Sequence, residues 1–233
     1  DGWVGVNYLE KIQLPTLPSL YGALLAGVDY VLMGAGIPRA IPGLMDKLAR
    51  HEPVALKLAV QGAPAGEEHL APFDPRGILA DGAAALPRPK FIAIVSSEAL
   101  ALTLARKASG KVDGFVIEGP TAGGHNAPPR GPLQLTEDGQ PLYGPKDEPD
   151  LATFRELGVP FWLAGGRATR EGLREARSFG AQGIQAGTVF AFCAESGLSN
   201  DVKQRVFAEL RAGTEKVFTD PVASPTGFPF KVV

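Results

Sequence analysis

The segment Gly114 to His125, GFVIEGPTAGGH, runs from an apolar strand into a glycine-rich turn that ends on an imidazole. Phe115 to Ile117 have the apolar, β-favouring character of a buried parallel strand, and Gly119-Pro120 punctuates its end. Gly123 and Gly124 lack a Cβ, so the backbone there can take positive φ and let a flat ligand approach closely. His125 adds a group that titrates near neutral pH and can therefore take up or release a proton. A plain strand-to-loop turn carrying a surface histidine is the alternative.

Two more strand ends have the same punctuation. FWLAGG, Phe161 to Gly166, closes on a glycine pair before a polar helix from about Thr169 to Phe179, and GIQAGT, Gly183 to Thr188, closes on Gly-Thr. In a barrel of alternating strands and helices, the loops after the last two strands commonly hold phosphate, because unpaired backbone N–H groups face an anion there. Each glycine-rich end alone reads as a turn. Their succession along the chain points to a phosphorylated cofactor.

The elements that must position these residues alternate between strand and helix, which implies an α/β fold with a parallel sheet. Candidate strands are Val4 to Asn7, Tyr30 to Met33, Val54 to Ala59, Phe91 to Val95, Gly114 to Ile117, Phe161 to Ala164 and Gly183 to Ala186. Helices are expected near Ser19 to Ala26, Gly43 to Arg50, Glu98 to Ala108, Leu151 to Leu157, Thr169 to Phe179 and Asn200 to Ala212, with Pro18, Pro42 and Asn200 placed to start three of them. Gln61 to Pro89 and Asn126 to Pro149 are rich in Pro, Gly and charge and read as long loops of the kind that cover a binding site.

With 233 residues, of which 45% are hydrophobic and 21% charged, the chain can bury a sizeable core, and residues 1–233 read as a single domain. A net charge of -2 provides no basic footprint for nucleic acid. No apolar run has the length of a membrane span. The lone Cys193 reads as a core thiol and agrees with a reducing, cytoplasmic setting. His51, His69 and His125 are scattered, without the spacing of metal ligands, so no metal is expected.

The motifs VGVN (Val4 to Asn7), AGGH, AGG and QAGT (Gln185 to Thr188) together resemble the nitronate monooxygenases, also called 2-nitropropane dioxygenases. That resemblance covers most of the chain, and the tail Phe218 to Val233 also suits a subgroup of the family. It implies a TIM-type (β/α)8 barrel that binds FMN and is related to the FMN-dependent enoyl-ACP reductases. A closed barrel needs eight strands. Seven are read here, and the family's N-terminal section with its IQGGM motif has no counterpart, so the barrel is expected to lack its first strands, with Val54 to Ala59 an inserted strand. A compact barrel complete in itself is the alternative. One phosphate cradle, without a GxGxxG opening a Rossmann unit, favours FMN over FAD.

Carried over residue by residue, the resemblance implies that Asn7 hydrogen-bonds the flavin ring and that Gly123 lies against it. Gly166 and Gln185, Ala186, Gly187 and Thr188 would wrap the phosphate. Thr188 also reads as a helix N-cap. Glu118 stands where the family commonly has Gln, which replaces a donor and acceptor near the flavin with a carboxylate that only accepts when ionised. Lys57 is a candidate counter-charge for Glu118, and Arg167 a candidate cation for phosphate, although exposure is the ordinary fate of both. His125 is the expected catalytic residue, positioned to take a proton from the carbon beside a nitro group or to hold a nitronate anion. The implied reaction oxidises an alkyl nitronate with O₂ as co-substrate to a carbonyl compound and nitrite. An NAD(P)H-dependent FMN reductase of an enoyl thioester or quinone, a flavin-free barrel lyase or isomerase acting on a phosphorylated substrate, and a non-catalytic flavin module remain as alternatives. The oligomeric state is left open.

Overall fold

A computed structural model describes residues 2–79 and 82–232. Ala80 and Asp81, inside the first long loop, and Val233, the last residue of the tail motif, lie outside the described residues, as does Asp1. The chain divides into two compact units, Asp1–Val95 with Ala99–Phe115, and Ser96–Glu98 with Val116–Val233.

The first unit opens with β1 (Gly5–Leu9), α1 (Thr16–Leu25), β2 (Tyr30–Gly34) and α2 (Ile41–Ala49). It continues through β3 (Val54–Leu58), β4 (His69–Phe73), β5 (Lys90–Val95) and most of α3 (Glu98–Lys107), and ends in β6 (Gly114–Ile117). Parallel pairing follows the order β1-β2-β5, with Asn7 opposite Leu32 and Val31 opposite Phe91. Phe91 to Val95 are all buried, as expected of a parallel strand covered on both faces. The two helices form because their apolar residues recur at helical spacing. Leu17, Leu20, Tyr21 and Leu24 are buried on α1, and Ile41, Leu44, Met45 and Leu48 on α2. Fully burying one such side chain contributes about 2 kcal/mol. Helix α1 begins two residues before Pro18, which a first turn tolerates because its N–H groups lack intrahelical acceptors.

Val54 to Leu58 stands outside the parallel sheet, as expected of an inserted strand. It pairs antiparallel with β4, Val54 opposite Phe73 and Leu58 opposite His69, in a separate two-stranded sheet. In VALKL, Val54 and Leu56 are buried while Ala55 and Lys57 are exposed. That alternation suits a ribbon with one covered face rather than a parallel strand covered on both. Its partner escaped the sequence reading because HLAPF carries Pro72, which sequence rules demote from strands. Near the start of β5, Arg88 ties three segments together, with Nε 2.6 Å from Asp46 Oδ1 and Nη1 2.6 Å from Asp113 Oδ2. Asp113 also accepts the Phe91 N–H at 2.9 Å, so this network anchors the strand entry.

In the second unit the strand order is β6-β7-β8, with β7 (Phe161–Ala164) parallel to β8 (Gly183–Gln185) and Ala164 opposite Gln185. Helix α4 (Leu151–Leu157) starts on Asp150, whose Oδ1 accepts the Ala152 N–H at 3.0 Å, and stops at Gly158, where φ is 68°. Helix α5 (Arg170–Ser178) is capped by the Thr169 hydroxyl, which accepts the Gly172 N–H at 2.9 Å. The one-turn α6 (Thr188–Ala191) and α7 (Asn200–Ala212) follow, the latter capped by Ser199. An antiparallel pair, β9 (Phe218–Asp220) and β10 (Phe230–Val232), completes the unit. No described helix is long and apolar enough to cross a membrane.

Candidate functional site around the loop after β6

Strand β6 is buried throughout, and its end delivers Glu118 into a turn closed by the Ala122 N–H donating to Gly119 O at 3.0 Å. Beyond it, Gly124 takes φ 74° and the loop reaches His125 and Asn126. The ends of β7 and β8 converge on this loop. A Cβ on Gly165 would stand 2.5 Å from Thr121 Oγ1 and 2.9 Å from Ala122 N, so only glycine allows that approach. A Cβ on Gly123 would lie 3.7 Å from Thr188 Oγ1. In the sequence Gly165 is one half of a glycine pair, and its packing role emerges only from the fold.

Gly166 is exposed with φ 64°, and no neighbouring heavy atom lies within 4 Å of where its Cβ would be. Gly187 faces equally open space. Gln185 ends β8, Ala186 is half-buried, and Thr188 is exposed. Gly187, rather than Thr188, is the N-cap of α6, and Thr188 is its first helical residue, leaving that hydroxyl free of the capping role. Asn7, in the other unit, sits exposed in the middle of β1.

His125 is held by the C-terminal tail. Its Nε2 lies 2.7 Å from Ser224 Oγ, and its ring meets Phe230 edge-on at 4.9 Å between centroids. On either side of it the backbone is bridged, the Asn126 N–H donating to Pro229 O at 2.8 Å and the Lys231 N–H to Gly124 O at 2.9 Å. Burial lowers the His125 pKa, favouring the neutral imidazole. The side chain of Asn126 is buried, its Nδ2 donating to Ala122 O at 3.0 Å while Oδ1 has no hydrogen-bond partner among the described residues. A buried acceptor of this kind calls for a donor from water or a ligand. Sequence reasoning missed Ser224 and Phe230, because PVASPTGFPF carries turn residues without a period and lies far along the chain.

Glu118 lines a pocket of about 310 Å³, open to solvent, with Ser96, Pro128, Arg130 and Tyr143. Burial raises its carboxyl pKa to about 7. Lys57 is not the counter-charge of Glu118, since its ammonium pairs with Glu68 on the exposed face of the β3–β4 ribbon. Arg167 does not serve as a free cation for phosphate either, since its Nη1 lies 2.5 Å from Glu175 Oε2. The loop from Asn126 to Pro149 is tied by its own polar groups: Asp147 accepts the Arg130 and Gly144 N–H groups at 2.7 Å each, and Tyr143 donates to Ala127 O at 3.0 Å. Cys193 is half-buried, with Sγ 3.0 Å from Phe190 O, rather than a core thiol.

The residues present fit a flavin phosphate and a flat ring. Gly124, Gly166 and Gly187, in the loops after β6, β7 and β8, leave open space where a side chain would stand, and the buried Asn126 Oδ1 beside His125 has no donor among the described residues.

Comparison with known proteins agrees on the fold. The chain is similar to FabK from Thermotoga maritima, with a TM-score of 0.60 and 20% identity over 100% of this chain and 55% of that one. The M276A mutant of that protein matches equally, over 56% of its length. The enoyl reductase domain of MlnA, from the macrolactin biosynthesis cluster of Bacillus amyloliquefaciens, matches with a TM-score of 0.52 and 13% identity over 98% of this chain and 50% of that one. The chain thus spans about half the length of these structures, and its fold is the α/β, TIM-barrel type expected from the sequence. No protein of curated function matches significantly. The pattern of the nitronate monooxygenase family matches residues 85–223, more than half of the chain, a span that contains Glu118, Gly123, His125, Gly166 and Gln185 to Thr188. The chain therefore belongs to the nitronate monooxygenase family.

Proposed function

We propose that residues 1–233 form the FMN-binding domain of a cytoplasmic, nitronate monooxygenase-like oxidoreductase, with O₂ as co-substrate. The observation that carries this reading is the approach of Gly123 to Thr188 on the same loop that carries His125. Gly166 and the Gln185 to Thr188 segment would hold the phosphate through backbone N–H groups and the Thr188 hydroxyl, and Gly123 would admit the flat ring. FMN, when bound, supplies the electron transfer between substrate and O₂. The chain's own task is proton handling and placement. His125, kept neutral by burial, takes the proton from the carbon beside the nitro group, and its positive charge then steadies the resulting nitronate.

The decisive experiment releases the cofactor from purified protein for identification and follows anaerobic titration with a nitronate and, separately, with NADH. Recovery of FMN and bleaching by the nitronate are expected. Recovery of FAD or of no flavin would overturn the cofactor assignment. Bleaching by NADH alone would select the reductase reading, to which the similarity with the MlnA enoyl reductase domain lends fold-level support.

Glu118 provides a separate test of the pocket. Its carboxyl pKa is raised from 4.5 to about 7. Between those values the folded chain retains a proton that the unfolded chain has released, so stability is greatest below pH 4.5 and falls as pH rises to about 7. The loss is at most about 3 kcal/mol. Thermal unfolding from pH 5 to 8 is expected to show this decline in the wild type and a flatter profile in Glu118→Gln. Equal slopes in the two proteins would mean that Glu118 titrates normally.

A further inference from the structure

The tail that bridges the His125 loop also contains two hydroxyl groups in series. Ser224 is 9% exposed, and its Oγ lies 2.7 Å from His125 Nε2 and 2.7 Å from Thr226 Oγ1. The Thr226 backbone N–H donates to the same Oγ at 3.3 Å. No hydrogen bond to Nδ1 of His125 is found among the described residues, so Nε2 is the nitrogen committed to the protein. Phe230 packs against the ring in a T-shaped arrangement, and the backbone bridges at Asn126 and Lys231 fix the loop on either side.

We infer that Ser224 is a positioning residue for His125: it accepts a hydrogen bond from Nε2–H, fixes that tautomer, and leaves Nδ1 as the nitrogen that meets the substrate proton. The argument rests on the proposed role of His125 as a base and adds the device that orients it. A hydroxyl oxygen can accept two hydrogen bonds and donate one. With Ser224 accepting from Nε2–H and from the Thr226 N–H and donating to Thr226 Oγ1, all three of its capacities are used. This direction also serves both protonation states. The neutral base and the imidazolium each present Nε2–H to Ser224, so a proton can arrive at Nδ1 without reorganising the tail. With the opposite direction, Ser224 donating to Nε2, the proton would occupy Nδ1 in the neutral ring and leave no base facing the substrate. The proton balance is simple: the substrate C–H bond breaks, its electron pair stays on the substrate as nitronate, and the proton bonds to Nδ1.

The test combines nitrogen NMR of ¹⁵N-histidine-labelled, flavin-loaded protein with kinetics. The His125 signals are assigned by their loss in His125→Asn. The wild type is expected to show a protonated Nε2 and an unprotonated Nδ1 at a pH where the ring is neutral. Ser224→Ala is expected to give a mixture of tautomers and to lower kcat on neutral nitroalkane on the order of 10-fold, the scale on which groups that orient a histidine act. KM and flavin retention should stay as in the wild type. Ser224→Thr, which keeps the hydroxyl, should restore both the tautomer and the rate. A wild-type ring protonated on Nδ1, or a Ser224→Ala spectrum identical to the wild type, would overturn the inference even if His125 proves essential. The wild-type tautomer decides the matter even where a variant does not fold. Unchanged rates in His125→Asn would instead remove the base role on which the inference rests.

Discussion

His125→Asn is expected to keep its fold and bound flavin while losing turnover of neutral nitroalkane by roughly 10²-fold or more, the usual scale for a positioned acid or base. Activity on a preformed nitronate should fall much less, because that substrate has already lost its proton. The asymmetry follows from the environment of the ring. Burial lowers the His125 pKa and so maintains a neutral base, while Ser224 and Phe230 hold its orientation from one side. Steady-state rates on the two substrates, measured with equal flavin content, separate the possible roles. An equal loss on both would assign His125 to holding an anion rather than removing a proton. Equal retention on both would make the residue structural, explained by its contacts with the tail.

The second large effect is expected at Gly166. Replacing it with Val should abolish flavin retention while the chain still folds. At φ 64° a side chain is strained, at a cost of about 1–2 kcal/mol for a non-glycine residue, which an otherwise intact domain survives. The added Cβ has no heavy atom within 4 Å and enters the open space assigned to the phosphate. Gly165→Ala is the informative contrast. Its Cβ would press on Thr121 Oγ1 and the Ala122 backbone nitrogen, so that variant should lower thermal stability directly. Flavin-to-protein ratio after gel filtration, read beside the melting temperature, checks both. Normal flavin content in Gly166→Val would show the phosphate assignment to be wrong.

Much of the scaffold was legible in the chain because its elements have local causes. Strands Gly114–Ile117 and Phe161–Ala164 and helices Leu151–Leu157 and Asn200–Ala212 lie where the apolar runs, caps and glycines place them. Each is bounded by a local signal, such as Asp150 and Gly158 at the two ends of α4. Elements whose partner decided their fate were misread or missed. Val54–Leu58 is the expected inserted strand, but its partner, the proline-containing His69–Phe73, was missed. Lys57 and Arg167 looked available until nearby carboxylates, Glu68 and Glu175, were found beside them.

For the candidate site, the sequence by itself determined the chemical inventory: glycines where the backbone must turn or lie open, a histidine at the end of the central loop, and a carboxylate at Glu118. Residue type and local spacing are enough for that, because they act over a few bonds. Only the tertiary structure decided what surrounds each group. It brought Thr188 to Gly123, placed Glu118 where burial raises its pKa to about 7, and joined His125 to Ser224 across 99 positions of sequence. Burial, hydrogen-bond direction and ring orientation arise from contacts between distant segments, and a hydroxyl in a turn-rich tail carries no local sign of the imidazole it will meet.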